Sequence, residues 1–189
     1  MDGDPLPLLR GARVGLRGWR ADDVPALFAL QSDPAGMRFW SYPPLTDLDQ
    51  AKAVFERNER GAHAGDCLPW AIMRGGDDRL IGTCTLFALD RINRRALLGY
   101  ALSREHWGNG YAQEAVRLAL GFAFGALGLH RVEADVDPRN TASILLLERI
   151  GFAREGVLRE RWRVGDDVQD SAIYGLLARE FALQEARKD

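Results

Sequence analysis

The sequence predicts a mixed α/β domain, and three observations predict it. A glycine-bearing turn, Trp107-Gly108-Asn109-Gly110, stands between a strand-like run at 97–102 and a helix with a strong apolar stripe. Several other segments alternate apolar and polar residues, as half-buried strands do. Two pairs of those segments are separated only by short turn-rich stretches and read as hairpins. At 189 residues, 47% hydrophobic and 28% charged, the chain suits one globular domain over 1–189, with a core of about 12–178. No internal repeat or linker-like tract divides it.

The elements follow in order. Residues 1–10 read as an extended lead-in, and Arg13-Val14-Gly15-Leu16-Arg17 alternates as a first strand. Ala21-Asp22-Asp23 opens a helix to about Gln31, with acids where the helix dipole favours them and Pro25 where a missing N–H costs little. A loop at 32–44 carries Phe39, Trp40 and Tyr42, either plugs for the core or the wall of a binding site. Thr46 is the expected N-cap of a second helix to about His63. Segments 68–73 and 80–89 form a hairpin, 95–102 continues the sheet, and Arg131 to Val136 alternates as a fifth strand.

Between those last two strands, Ala112, Ala115, Val116, Ala119, Ala123 and Ala126 fall on one helical stripe. A short helix at 140–150 ends at Gly151, which suits a C-terminal cap. Segments 156–164 and 168–177 form a last hairpin over Gly165-Asp166-Asp167. Leu158, Trp162 and Val164 share one face of it, and Arg159, Arg161 and Arg163 the other. A polar helix at 178–188 closes the chain. The count is about seven strands in a mostly antiparallel mixed sheet.

Composition narrows the function. A formal charge of −2 argues against a general nucleic-acid surface and leaves room for an acidic patch that attracts an amine. The start of the chain lacks a basic, then apolar, signal pattern, and no apolar run reaches the roughly 20 residues of a membrane span. The expectation is a cytoplasmic protein with no membrane partner. Cys67 and Cys84 suggest no disulfide framework, Cys84 reads as a small buried hydrophobe, and no metal is called for.

The glycine turn carries the chemistry. The first turn of a helix leaves N–H groups without partners at the positive end of the dipole, and glycines let an anion come close. A phosphate or pyrophosphate is the expected guest. A P-loop would need Lys-Ser/Thr where Tyr111-Ala112 stands, and the dinucleotide fingerprint needs a third glycine.

The run W-G-N-G-Y-A-Q-E-A resembles the acyl-CoA pyrophosphate loop of the GNAT (Gcn5-related) N-acetyltransferases. Gly110 and Ala112 match the usual pattern, and Trp107 stands where Gln or Arg is common. A second block, Asn140-Thr141-Ala142-Ser143 followed by Leu147-Glu148-Arg149-Ile150-Gly151-Phe152, is similar to that of the RimJ/RimL branch, which acetylates ribosomal-protein N-termini.

The resemblance implies a fold and a set of roles. The fold would be the GNAT acyl-CoA N-acyltransferase fold, with helices on both faces and a splay between the fourth and fifth strands. Acetyl-CoA would be the cofactor, its pyrophosphate on the N–H groups of Gly108, Asn109, Gly110, Tyr111 and Ala112, beside Trp107. Its thioester carbonyl would meet a strand N–H near Ala101 or Leu102. Asn140 would contact the cofactor or else cap a helix. Ser143 would face the sulfur, where many relatives use a Tyr at the position of Leu147, or else only sit in a first helical turn.

The acceptor side is less defined. Several lysine-modifying relatives carry a Glu near Leu97. An α-amine, with a pKa near 7.7–8.0 against about 10.4 for lysine, needs less help to become neutral. A water relay to Glu133 or Glu160 would suffice, with Glu133 otherwise a surface carboxylate. Asp170 would orient the amine or pair with an arginine of 159–163. Trp40, Tyr42 and Trp162 would wall the acceptor pocket. The acceptor is expected to be a protein or peptide N-terminus, or else a small amine such as a polyamine or aminoglycoside. A CoA-binding module without catalysis is a further alternative. The chain would act as a monomer or homodimer, without direct nucleic-acid contact.

Overall fold

The computed structural model describes residues 6–186, apart from the side chain of residue 185. Its strands are β1 (Leu9–Arg10), β2 (Val14–Gly18), β3 (Cys67–Arg74), β4 (Leu80–Asp90), β5 (Arg95–Leu102), β6 (Arg131–Val136), β7 (Ala153–Val164) and β8 (Asp167–Leu177). They form one sheet in the order β1-β2-β3-β4-β5-β6-β8-β7. Every neighbouring pair is antiparallel except β5 and β6. The eighth strand beyond the expected seven is β1, where Leu9 pairs with Leu16 inside the stretch read as a lead-in. Two residues are too few to show an alternating pattern, and the core accordingly starts before residue 12.

Five α-helices cover both faces: α1 (Val24–Gln31), α2 (Leu48–Ala64), α3 (Tyr111–Phe124), α4 (Thr141–Ile150) and α5 (Ala178–Glu185). Ala21–Asp23 is a separate 3-10 turn that leads into α1, which places Pro25 in the first turn of the α-helix itself. The N-cap of α2 is Asp47 rather than Thr46. Asp47 has the extended backbone of a cap and accepts from the Gln50 N–H at 2.9 Å, while the Thr46 hydroxyl bonds to the Asp47 carboxylate. The last helix ends at Glu185, and residues 187 and 188 of its expected span lie outside the described residues.

The sheet is buried from two sides. β3 has no solvent-facing position from Cys67 to Met73, because α3 packs on one face and α2 on the other. On the α3 face, Trp70, Cys84, Leu86, Leu98, Val132 and Leu176 meet Ala115, Val116, Ala119, Leu120 and Ala123. The alanines let the helix approach the sheet closely, and Val116 and Leu120 each contribute about 1.5–3 kcal/mol of burial. Ala126, assigned to that stripe, lies beyond the helix and is exposed. On the opposite face Leu27 and Leu30 of α1 and Phe55 of α2 pack on Ala71 and Leu80.

β5 and β6 pair only at Arg95↔Arg131, Ala96↔Val132 and Leu97↔Glu133, and then diverge. Beyond those pairs, residues 99–102 of β5 and 134–136 of β6 lack a partner across the gap. Unpaired strand backbone of this kind is a row of donors and acceptors waiting for a guest. The splay is the one expected from the sequence, between the strand ending at Leu102 and the strand starting at Arg131. With β1 counted, these are the fifth and sixth strands.

Candidate functional site

The glycine turn sits at the open end of that V, between β5 and α3. Gly108 and Gly110 both have φ of +74°, a left-handed conformation that glycine adopts at little cost. The turn is held from outside by Arg13 at the start of β2. Its guanidinium donates to the Asn109 carbonyl at 2.8 Å and to the Glu114 carboxylate at 2.9 Å. Glu114 also accepts the backbone N–H groups of Arg13 and Val14, at 2.8 and 3.4 Å. Burial by itself would raise the Glu114 pKa, but these donors hold the carboxyl below its usual range. The clamp is therefore complete above the ordinary glutamate range and is released only as pH falls through the depressed folded value.

The turn fits a diphosphate. Among the described residues, the first N–H to find an acceptor after the glycines is that of Glu114, which bonds to the Gly110 carbonyl at 3.1 Å. The N–H groups from Gly108 to Gln113 have none, and they gather at the positive end of α3. A Cβ built on Gly108 would meet no atom within 4 Å, so there is room for an anion beside these donors. The Trp107 indole N–H donates to the Leu102 carbonyl at 2.6 Å and fixes the loop against the end of β5.

Two hydroxyls meet on the α3 side of the V. Tyr100 of β5 and Ser143 of α4 lie within 2.7 Å of each other, oxygen to oxygen. Burial raises the pKa of the Tyr100 phenol, so it stays a neutral donor at physiological pH. Asn140 is the N-cap of α4: its side-chain oxygen accepts the Ser143 N–H at 3.1 Å. That bond leaves the Asn140 amide nitrogen without a partner among the described residues.

The opposite side of the V carries the acids. Glu133 is tied to Arg131 at 2.8 Å and to Arg95 at 3.4 Å, where β5 and β6 are still paired. Asp135, two residues further along β6, lies past the last pair and on the same face as Glu133. Its carboxylate accepts from the Ser171 hydroxyl and the Trp162 indole, with the Arg161 guanidinium at 3.7 Å. Burial raises the Asp135 pKa, and the Trp162 and Arg161 contacts offset only part of that rise.

The remaining residues are arranged around the last hairpin and the aromatic loop. Glu160 sits in a bulge of β7 with φ of +52°, its carboxylate exposed and its backbone N–H bonded to Asp170 at 2.8 Å. Asp170 therefore pins the bulge and forms no ion pair with the neighbouring arginines among the described residues. The bulge also breaks the alternation assigned to this strand: β7 is exposed from Ala153 to Arg163. Trp162 is brought to the site by its bond to Asp135. Trp40 and Tyr42 stack edge to face at 5.3 Å, and burial pushes the Tyr42 phenol up to about 12 although Arg57 lowers it in part. Their loop is drawn to the end of β5 by the Asp33–Arg104 ion pair at 2.7 Å.

Four participants escape a reading of the sequence alone: Arg13, Glu114, Tyr100 and Asp135. For the last two a local signal exists. The alternation of β5 puts Tyr100 on the face of Leu98 and Leu102, toward the helices, and that of β6 puts Asp135 beside Glu133. The Arg13–Glu114 bond joins residues 101 positions apart and leaves no local trace.

Comparison with known proteins bears on the family and the fold. The family model described as an acetyltransferase (GNAT) domain matches residues 13–153. The chain is 36% identical to an N-acetyltransferase named p20, itself uncharacterized, from Bacillus licheniformis, over 90% of this chain and 96% of that protein. It is 25% identical to the spermidine N(1)-acetyltransferase of Vibrio cholerae, over 84% of this chain and 90% of that one. Among solved structures, Mycobacterium smegmatis RimJ in complex with CoA-disulfide superposes with a TM-score of 0.82 at 25% identity, covering 98% of this chain and 94% of the other.

Proposed function

The chain belongs to the GNAT acetyltransferase family, and from that premise we propose that it acetylates the α-amine of a protein or peptide N-terminus, with Asp135 receiving the amine proton. Enzymes of this family use acetyl-CoA, which supplies the activated acetyl group as a thioester. The N–H groups from Gly108 to Ala112 would hold its pyrophosphate and the gap-facing Leu102 N–H its thioester carbonyl, with the Asn140 amide beside it, whereas Ala101 turns its backbone to Thr83 of β4. Tyr100 and Ser143 are a pair of donors for the departing sulfur.

The observation that carries the acceptor assignment is the state of the carboxylates. Glu133 and Asp33 are each held by arginines, and Asp137 and Asp167 share Arg139. Asp135 is left as the half-buried acid at the open part of the V, with Arg161 beside it. A polycation would need several free acids along its length. A single amine that is already neutral to tens of per cent near pH 7.4 needs one acceptor for one proton. This reading replaces Glu133 by Asp135 as the base and leaves Glu160 and Asp170 as builders of the hairpin.

The direct test is CoA thiol release with acetyl-CoA and an acceptor panel of N-terminal Ala, Ser and Met peptides, lysine side chains, spermidine and aminoglycosides. Turnover with peptides that disappears when the α-amine is blocked is the expected result. Turnover confined to spermidine or aminoglycosides overturns the assignment.

Two variants probe the cofactor end. Arg13→Ala removes the clamp on the turn and is expected to raise the KM for acetyl-CoA about three- to tenfold, a loss of about 0.7–1.4 kcal/mol, with kcat little changed. An unchanged KM would mean that the turn needs no clamp. Tyr100→Phe keeps the ring and removes the hydroxyl. It is expected to lower kcat about tenfold at constant KM, below the usual 10²–10⁴ of a general acid because a thiolate leaves readily. Full kcat would assign the proton to Ser143 or to solvent.

A further inference from the structure

At the closed end of the V, away from the glycine turn, lies a cavity of about 540 Å³. That volume falls within the range of about 300–1,000 Å³ found for small-molecule sites. Its apolar lining comes from Phe55 of α2, Leu68 of β3, Leu89 of β4, and Leu127 and Leu129 after α3. α3 has 14 residues, so at about 1.5 Å per residue its two ends, and these two sites, stand roughly 20 Å apart.

The polar lining is unusual. Arg91 and Arg94, from the turn between β4 and β5, both border the cavity, and neither guanidinium makes a hydrogen bond or ion pair among the described residues. Glu59 and His63 of α2 also line it, and the His63 ring is engaged with the Glu59 carbonyl at 2.8 Å. Two permanent cations thus face one carboxylate. The position of Arg94 is fixed: its carbonyl accepts the N–H groups of His130 and Arg131, at 2.6 and 3.3 Å, and its φ is +49°. A long side chain rarely adopts that backbone conformation, which costs on the order of 1–2 kcal/mol. A further wall residue, Trp19, has a buried indole N–H with no acceptor among the described residues.

We propose that this cavity is a second ligand site, for a small amphiphile with a single carboxylate or phosphate head. The head group pairs with Arg91 and Arg94, and the alkyl part covers the leucines and Phe55. Arginine recognises both kinds of head by paired N–H donors, and its charge does not titrate. An apolar chain gains by leaving water for the leucine-lined floor. Because this site and the glycine turn lie at opposite ends of α3, the amphiphile and CoA bind together.

The experiment is calorimetric titration of the full chain with octanoate and with octyl phosphate, below their micellar concentrations, alone and with saturating CoA. Inorganic phosphate and octyltrimethylammonium are the controls. Saturable binding of octanoate or octyl phosphate, with a Kd unaffected by CoA, is expected, and whichever binds more tightly identifies the head group. Arg91→Gln/Arg94→Gln should weaken it at least tenfold, and Ala62→Phe, which fills the cavity from α2, should abolish it. The site is refuted by the absence of millimolar binding, by preference for the ammonium compound, by an unchanged Kd in the double arginine variant, or by competition with CoA. CoA binding itself is read in the same titrations, so a failure of the acetyl-CoA assignment is seen separately.

Discussion

Asp135→Asn is expected to lower kcat about a hundredfold while leaving the melting temperature unchanged or slightly higher. The activity figure is the lower end of what a positioned general base contributes, about 10²–10⁴. The stability sign follows from burial, which lifts the folded pKa of Asp135 above its unfolded value. The folded protein therefore holds this proton more tightly than the unfolded chain does. Stability from this group is present at low pH and is lost as pH rises from the ordinary aspartate range through the raised folded value. Asparagine is neutral at every pH and escapes that loss. With its oxygen at the Oδ1 position it still accepts from Ser171 and from Trp162. What disappears is the attraction to Arg161, which is half exposed and contributes little.

The pH profile separates this role from a structural one. Below the Asp135 pKa, log kcat/KM of the wild type should fall with two ionisations, one from the acceptor amine and one from the carboxylate. The variant should fall with one. A variant with full kcat, or with the wild-type slope, would take Asp135 out of the chemistry. Glu133→Gln is the matched control. It removes the negative charge from the contacts with Arg131 and Arg95 at the closed end of the V and is expected to alter stability more than kcat.

What the sequence revealed and what it concealed divide along sequence distance. Gly108 and Gly110 announce a turn by their identity, and the stripe from Ala115 to Ala123 announces a helix by its period. The alternation in β6 assigns the faces of Glu133 and Asp135 correctly. It does not say where β5 stops pairing, and that point decides which acid stands in the open V. Thr46 and Asp47 are adjacent and both suitable caps, so only backbone geometry separates them. The alternation in β7 misleads because a bulge at Glu160 shifts the register between Leu158 and Trp162. Tyr100 with Ser143, and Asp135 with Ser171, are contacts across 43 and 36 positions that exist only once the sheet has formed.

Asp23→Ala is expected to be the most destabilising of these substitutions, at about 3–5 kcal/mol. Arg17 of β2 and Asp23 before α1 form a buried bidentate pair, both bonds 2.7 Å, with the two side chains 7% and 5% exposed. The Arg17 guanidinium also donates to the Gly18 carbonyl at 3.0 Å and to the Asp78 carboxylate and carbonyl at 3.1 and 2.8 Å. All five of its donors are thus satisfied. Removing Asp23 leaves a buried cation whose other carboxylate, Asp78, is exposed to solvent. It also strips an acceptor from the Arg20 N–H. For a chain of this length the loss corresponds to a fall in melting temperature on the order of 10 °C, measurable by calorimetry. Arg17→Met combined with Asp23→Leu should recover part of it, because an apolar pair carries no desolvation cost. Full stability in Asp23→Ala would show that Asp78 alone can balance Arg17. The consequence extends to function, since this pair anchors α1, and α1 leads into the loop of Trp40 and Tyr42. KM for the acceptor should therefore rise in Asp23→Ala even at temperatures where the protein remains folded, and the Arg17→Met/Asp23→Leu chain should restore it in proportion to its stability.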